Sequence, residues 1–384
     1  MSSNSEKIKK FKNSFSNSKL THLNNAGLSP ISIQARDTVK MWAERFYQEG
    51  FYTDSDYMEA VRKTRVSLSK LIDCNWNDIA FFQSTAGAIS QIAFGLCLNK
   101  DDEVLLWDQE YSSNLYPWKA ACDQTGAKLI QVPSEKNFAT PNEKLLSRVS
   151  KHTRVIAISW VQFQTGARVD LQSLGEYCAN NQIFLCVDVM QGLGVHPFSM
   201  RNWKIDAVCG GSHKWLVSPV GVGFLALAPK WQNEISPLII GSATYGACDD
   251  PSDLLCEPKK DALKYEAGSK QVLEITALGA SVDLILECRI EILEQEAIRL
   301  GELLRQGLSG LGCQIHSPFS GQSVSSSIVN FTPPPGVSLD SALESFRKNE
   351  VNFAVRGPGI RLSPHAFNAE KDLEKALKAI ESAR

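Results

Sequence analysis

Two polar turns close apolar, β-branched runs in the middle of the chain. DVMQG (Asp188 to Gly192) follows IFLCV, and GSHKW (Gly211 to Trp215) follows DAVCG. A lysine on such a turn, here Lys214, can add as a free amine to an aldehyde and form a Schiff base. An acid at a similar strand end, Asp188, suits the complementary task of keeping a heteroaromatic nitrogen protonated, so that the ring draws in electrons. The two roles together describe pyridoxal 5′-phosphate. Taken singly, each residue is more often a helix cap or a solvated charge; their joint occurrence carries the reading.

Neighbouring residues extend it. Gln191 is placed to donate to a ring phenolate oxygen, and His213 to orient the cofactor or buffer a proton. A phosphate needs backbone N–H donors at a helix start, and QSTAGAISQIAFGL offers a turn of small residues, Ser84, Thr85, Ala86 and Gly87, opening an apolar helix. The plain alternative is a Ser/Thr cap. In EYSSNLYPW, Tyr111 is placed to lie flat on a cofactor ring, or else belongs to the core.

These residues need strands to carry them. From about Asp78 to Leu227 the runs IAFF, EVLLW, KLIQV, RVIAIS, IFLCV, DAVCG and VGFLAL alternate with helical stretches. The expected fold is α/β, a mostly parallel central sheet with helices on both faces. Its sites lie at the carboxyl ends of the strands. After about Leu273 come amphipathic helices, notably from Ile275 to Leu311, strand-like SSSIVNFT and a final helix from Ala369 to Ala383, which read as a smaller α+β domain. The expected division is 1–20 as an N-terminal arm, 21–273 as the large cofactor-binding domain and 274–384 as the small C-terminal domain. The arm is either flexible or a first amphipathic helix built on Ile8, Phe11 and Phe15.

Composition narrows the partners. Forty basic and forty-two acidic residues in 384 give a formal charge of −2, which leaves no electrostatic footprint for nucleic acid or an anionic membrane. No apolar run reaches the roughly twenty residues of a membrane span, and the polar, basic N-terminus lacks a signal-peptide core. Ten cysteines without CxxC pairs or a regular framework fit a reducing, cytoplasmic setting, with most thiols acting as small buried hydrophobes. No metal site is expected. Neither G-x-G-x-x-G at the first helix nor a P-loop motif is present, which argues against a nucleotide-binding enzyme.

The motifs HLNNAGLSP, FQSTAGAI, EYSSNLYPW, DVMQG, GSHKW, YEAGS and RLSPHAFN occur in the order seen in class V aminotransferases. From about Thr21 onward the chain resembles that group of fold-type I pyridoxal-phosphate enzymes, which includes the cysteine desulfurases and isopenicillin N epimerase. The resemblance implies Lys214 as the Schiff-base lysine, Asp188 as the pyridine-nitrogen partner and Gln191 as the phenolate partner. It implies that Thr85, Ala86 and His213 contact the phosphate end, and that Ser269 of YEAGS reaches the phosphate of a neighbouring subunit, hence a homodimer with a shared active site. Arg361 matches the residue that grips the substrate α-carboxylate, a task suited to a planar guanidinium fork. Asn25, Ala26 and Gly27 match the loop lining the substrate pocket.

The departures bear on the reaction. Tyr111 stands where desulfurases usually have a stacking histidine, and Phe163 where they usually have an asparagine. No cysteine lies between Arg356 and Arg361, so the persulfide mechanism of the desulfurases lacks its loop nucleophile and is disfavoured. The expected function is pyridoxal-phosphate chemistry on a small amino acid, by transamination or by β-elimination such as C–S cleavage, with freed Lys214 as base toward Cα. Epimerisation and a non-catalytic cofactor-binding protein are the alternatives. Tyr111 and His365 are candidates for a second proton donor, His365 being alternatively a buttress for Arg361.

Overall fold

A computed structural model of the chain describes residues 3–16, 18–50, 54–246, 256–318 and 326–383. All seven apolar runs are strands of one sheet: β1 (Ile79–Phe82), β2 (Glu103–Trp107), β3 (Lys128–Val132), β4 (Thr153–Ser159), β5 (Phe184–Asp188), β6 (Ala207–Gly211) and β7 (Gly223–Leu227). Their spatial order is β1-β7-β6-β5-β4-β2-β3. Strand β7 runs antiparallel to both neighbours and every other pairing is parallel. Both faces are covered, so side chains of each parity are apolar. Leu105, Ile156, Leu185 and Val208 enter one core, and Val104, Val155, Phe184 and Ala207 enter the other.

A second, four-stranded antiparallel sheet is formed in the order Ala354–Arg356, Gly359–Leu362, Val329–Thr332, Gln314–Ile315. Within the described part of the strand-like SSSIVNFT run, Val329–Thr332 is the strand. Its core is built from Leu300, Leu304, Phe331, Phe346, Ile360 and Leu362. The Thr21–His22 segment pairs with Val351–Asn352 in the same region, so the chain's beginning is joined to its end.

The packing does not change at 273/274. The helix Val272–Cys288 is buried along most of its length against the helices Ile33–Glu49 and Asp54–Ile72, within the large core. The change of core falls inside the next helix, Ile290–Gly310. There Leu293 and Ala297 serve the large core while Leu300, Leu304 and Leu308 serve the small one. Periodicity alone marks both as helices and cannot tell which core a helix serves.

The N-terminal segment forms a helix, Asn4–Asn13, with Ser3 and Glu6 as a capping box. Phe11 is fully buried, edge-on to Phe15 and 5.3 Å from the ring of His365. Among the described residues no helix is long and apolar enough to cross a membrane, and no cluster of metal-ligating side chains is present. Among the described residues six cysteines are buried: Cys122, Cys178, Cys186, Cys209, Cys288 and Cys313. Cys256, expected as a free thiol, is instead disulfide-bonded, and Cys248 lies outside the described residues.

Phe11→Ala empties a fully enclosed site, and large-to-small aromatic substitutions of that kind cost about 3 kcal/mol or more. The expected outcome is a lower urea midpoint than the native protein, and an unchanged midpoint would show that the helix is only loosely docked.

Candidate active site

The parallel strands end on one edge of the sheet, and the candidate residues follow those ends. Asp188 closes β5, His213 and Lys214 lie just beyond β6, Tyr111 lies beyond β2, and Ser84 lies beyond β1. Strand β7 enters from the same edge at Gly223. A Cβ there would come within 2.3 Å of the backbone of Ser84, so glycine is what lets the Ser84 turn settle on the sheet.

Ser84 is the N-cap of the helix Thr85–Gly95, its Oγ accepting from Gly87 N at 3.1 Å, so the cap expected from the sequence is present. It does not exhaust the turn. Ala88 N donates to the Ser84 carbonyl, whereas the amide N–H groups of Thr85 and Ala86 have no acceptor among the described residues. Unsatisfied donors at the positive end of a helix fit a phosphate.

Lys214 is half-buried, its Nζ 5.5 Å from the centre of the Tyr111 ring. Burial pushes its ammonium down to about 8, the charge of Asp188 works in the opposite direction, and Arg361 and Arg356 depress it further. Asp188 is pushed up to about 6, first by burial, against a hydrogen bond from Met190 N at 2.8 Å, with the charge of Glu110 raising it and that of Lys214 lowering it. His213 is pulled down to about 4 by burial and by Lys214, which leaves it neutral.

The turn that presents Lys214 is strained. Val217 has φ +47°, a region costly for a β-branched residue. It is held there by its N–H donating to the Lys214 carbonyl and by its own carbonyl accepting from Ser32 N and Ser281 Oγ, each at 3.1 Å. Trp215 adds a second anchor, its indole N–H donating to Gln191 Oε1 at 2.8 Å. Gln191 in turn donates to the Ala26 carbonyl at 2.9 Å, which commits one of its two amide hydrogens and leaves the other.

Arg361 is buried in the strand Gly359–Leu362. One terminal nitrogen donates to the Phe163 carbonyl at 2.6 Å and the other to Asn24 Oδ1 at 3.1 Å, while Nε has no partner. Burial, and then the charge of Arg356, pull the guanidinium down to about 10. A buried cation with an orphaned donor and no carboxylate partner suits an incoming anion.

Two expectations shift here. Asn25 is fully buried and spent on structure, donating to the Ser363 carbonyl at 2.8 Å and accepting from Ser29 Oγ at 2.9 Å. Its neighbour Asn24, passed over in the sequence, is the residue that meets Arg361. His365 is not free to move protons: Nδ1 accepts from Ala366 N at 2.7 Å, Nε2 faces the Trp215 carbonyl at 3.1 Å, and burial holds the ring neutral at about 4. It buttresses the Lys214 turn rather than Arg361.

Ser269 stands apart. It is exposed and lines a separate cavity of about 490 Å³ with Arg62, Arg65, Lys259, Glu266 and Lys270. Glu110 was also missed, although it lies in the EYSSNLYPW motif; nothing in the sequence distinguishes a buried carboxylate there from a surface one.

An amine with a pKa near 8 adds to an aldehyde as its neutral form. The rate at which cofactor-free protein takes up pyridoxal phosphate should therefore rise with pH through about 8 and level off above it, rather than climbing toward 10.5 as for an ordinary lysine. Stopped-flow absorbance across pH 6 to 10.5 would read the midpoint (roughly pH 8,).

The sequence profile of aminotransferase class V matches residues 37–360. A probable cysteine desulfurase of Pyrococcus abyssi is 23% identical over 83% of this chain and 82% of its own. Among solved structures, the cysteine desulfurase CsdA of Escherichia coli superposes with a TM-score of 0.86 at 18% identity, covering 100% of this chain and 98% of that one. The cystine C–S lyase C-DES, in complex with cysteine persulfide, gives 0.85 at 19% identity over 94% and 97%. With fold, lysine turn and family profile in agreement, the chain belongs to the class V aminotransferase family and is a pyridoxal-phosphate-dependent enzyme of fold type I.

Proposed function

We propose that this enzyme cleaves the C–S bond of a small cysteine-type amino acid by β-elimination. The observation that carries the reading is the presence in one site of a depressed amine, Lys214, next to the Tyr111 ring, and a buried guanidinium without a carboxylate partner, Arg361, whose charge reaches Lys214. When bound, pyridoxal phosphate supplies an electron sink that lets a proton leave Cα. Arg361 then holds the substrate carboxylate, Lys214 takes the Cα proton as its neutral amine, and Asp188 accepts a hydrogen bond from the ring nitrogen. The N–H groups of Thr85 and Ala86, together with His213, would hold the phosphate. Gln191 directs its remaining N–H to the ring oxygen, and Ala26 lines the substrate pocket.

The named relatives favour sulfur chemistry over transamination or epimerisation, and they lean toward the desulfurases that the sequence reading set aside. The chain has no cysteine beyond Cys313. That supports elimination, in which the C–S electrons leave with sulfur and the remaining enamine hydrolyses to pyruvate and ammonia.

A homodimer belongs to the same reading. Ser269 is exposed on a loop that packs beside an exposed apolar run, Leu238, Ile239 and Ile240, which are 44, 68 and 60% accessible. A second copy covering that run would bring Ser269 to the neighbour's phosphate.

With L-cysteine or L-cystine, purified holoenzyme should release pyruvate and ammonia in equal amounts. Alanine in place of pyruvate would instead mark a desulfurase, and conversion to pyridoxamine phosphate a transaminase. Borohydride reduction should fix the cofactor on Lys214, and Lys214→Ala should abolish both the label and turnover. Arg361→Ala should retain bound cofactor while KM rises on the order of 100-fold, the value of a charge-assisted hydrogen-bond pair.

A further inference from the structure

We propose that Glu110 is a positioning residue for this active site, the buried carboxylate that locks the loop bearing Tyr111 onto the strand end beside Asp188. The inference rests on the cofactor-site reading above. Glu110 is buried, one residue before Tyr111.

Its two oxygens accept from three other residues. Ser159 N donates to both at 2.9 Å, and Ser159 Oγ donates to Oε2 at 2.5 Å. Asn114 Nδ2 donates to Oε2 and Gln162 Nε2 to Oε1, each at 2.9 Å. Each donor belongs to a part of the site. Ser159 ends β4 and is the register partner of Asp188 on β5. Gln162 precedes Phe163, whose ring meets Tyr111 edge-on at 4.9 Å and whose carbonyl holds Arg361. Asn114 lies in the first turn of the helix Ser112–Thr125, which Tyr111 caps.

One side chain therefore ties together the loops of the stacking ring, the carboxylate grip and the pyridine-nitrogen partner. Burial pushes Glu110 up, while the hydrogen bonds from Ser159, Asn114 and Gln162 pull the other way. The charge of Glu110 also raises Asp188, which makes it a better acceptor for a ring N–H. Tyr111 itself is 43% exposed and is fixed mainly through its neighbours.

The test is a double-mutant cycle on holoenzyme with Glu110→Gln and Tyr111→Ala, reading cofactor dissociation constant and the visible circular dichroism of the bound cofactor, which reports ring orientation. Each single variant should weaken cofactor binding about tenfold or more and reduce the dichroic band. The double variant should be little worse than either, because residues acting through one contact are non-additive. Additive losses, or an unchanged band in Glu110→Gln, would overturn the assignment. Should Glu110→Gln fail to fold, Gln162→Ala removes one tie and runs through the same cycle, with the same two outcomes deciding. If the native protein itself shows no visible band on reconstitution, it is the cofactor site at Lys214 that fails; a normal native band with an indifferent Glu110→Gln sinks this inference alone.

Discussion

The site depends on how much charge can be kept near Lys214 without water. Burial disfavours the ammonium, and Arg361 and Arg356 repel it, yet Asp188 attracts it strongly enough that the amine settles near 8 rather than lower. The same balance works on Asp188, which burial and Glu110 lift and Lys214 lowers. Neither residue is perturbed by a single neighbour. Lys214 and Asp188 shift each other's proton affinities, with Arg361, Arg356 and Glu110 acting on them, and such shifts are characteristic of functional clefts.

Holding those charges at fixed distances requires a rigid frame, and the frame is made from parts distant in sequence. The segment around Asn24 runs beside Ser363, so the beginning and end of the chain together frame Arg361. Ser29 N donates to the His213 carbonyl, and Ser32 to Val217, so the same N-terminal stretch also braces the Lys214 turn. Holding Val217 at positive φ costs on the order of 1–3 kcal/mol, a cost met by the surrounding hydrogen bonds. The result is a lysine whose backbone cannot relax away from Asp188.

The large sheet was fully legible because its strands are buried on both faces and therefore read as unbroken apolar runs bounded by turns. IFLCV and DAVCG announce β5 and β6, and their polar endings announce Asp188 and Lys214. What stayed hidden was tertiary bookkeeping. Asn24 and Asn25 are adjacent asparagines, and only the register against Ser363 turns one toward Arg361 and buries the other. His365 looked like a proton donor because histidine titrates near neutrality, yet packing against Trp215, Phe11 and Phe367 removes both its solvent and its free nitrogens. The helix Val272–Cys288 was assigned beyond the large domain because an apolar stripe does not say which core receives it.

Tyr111, the proposed stacking ring, is set against Phe163. A tyrosine and a phenylalanine meeting edge-on form an aromatic corner that holds ring position by shape rather than by a titrating nitrogen. With His213 and His365 both neutral, no imidazolium faces Lys214. In the proposed reaction proton traffic at Cα falls to Lys214, whose proton affinity lies near 8. Under the proposed reading such a site suits removing a proton and letting a good leaving group depart, because elimination needs no second protonation at Cα, whereas epimerisation needs a second acid on the opposite face.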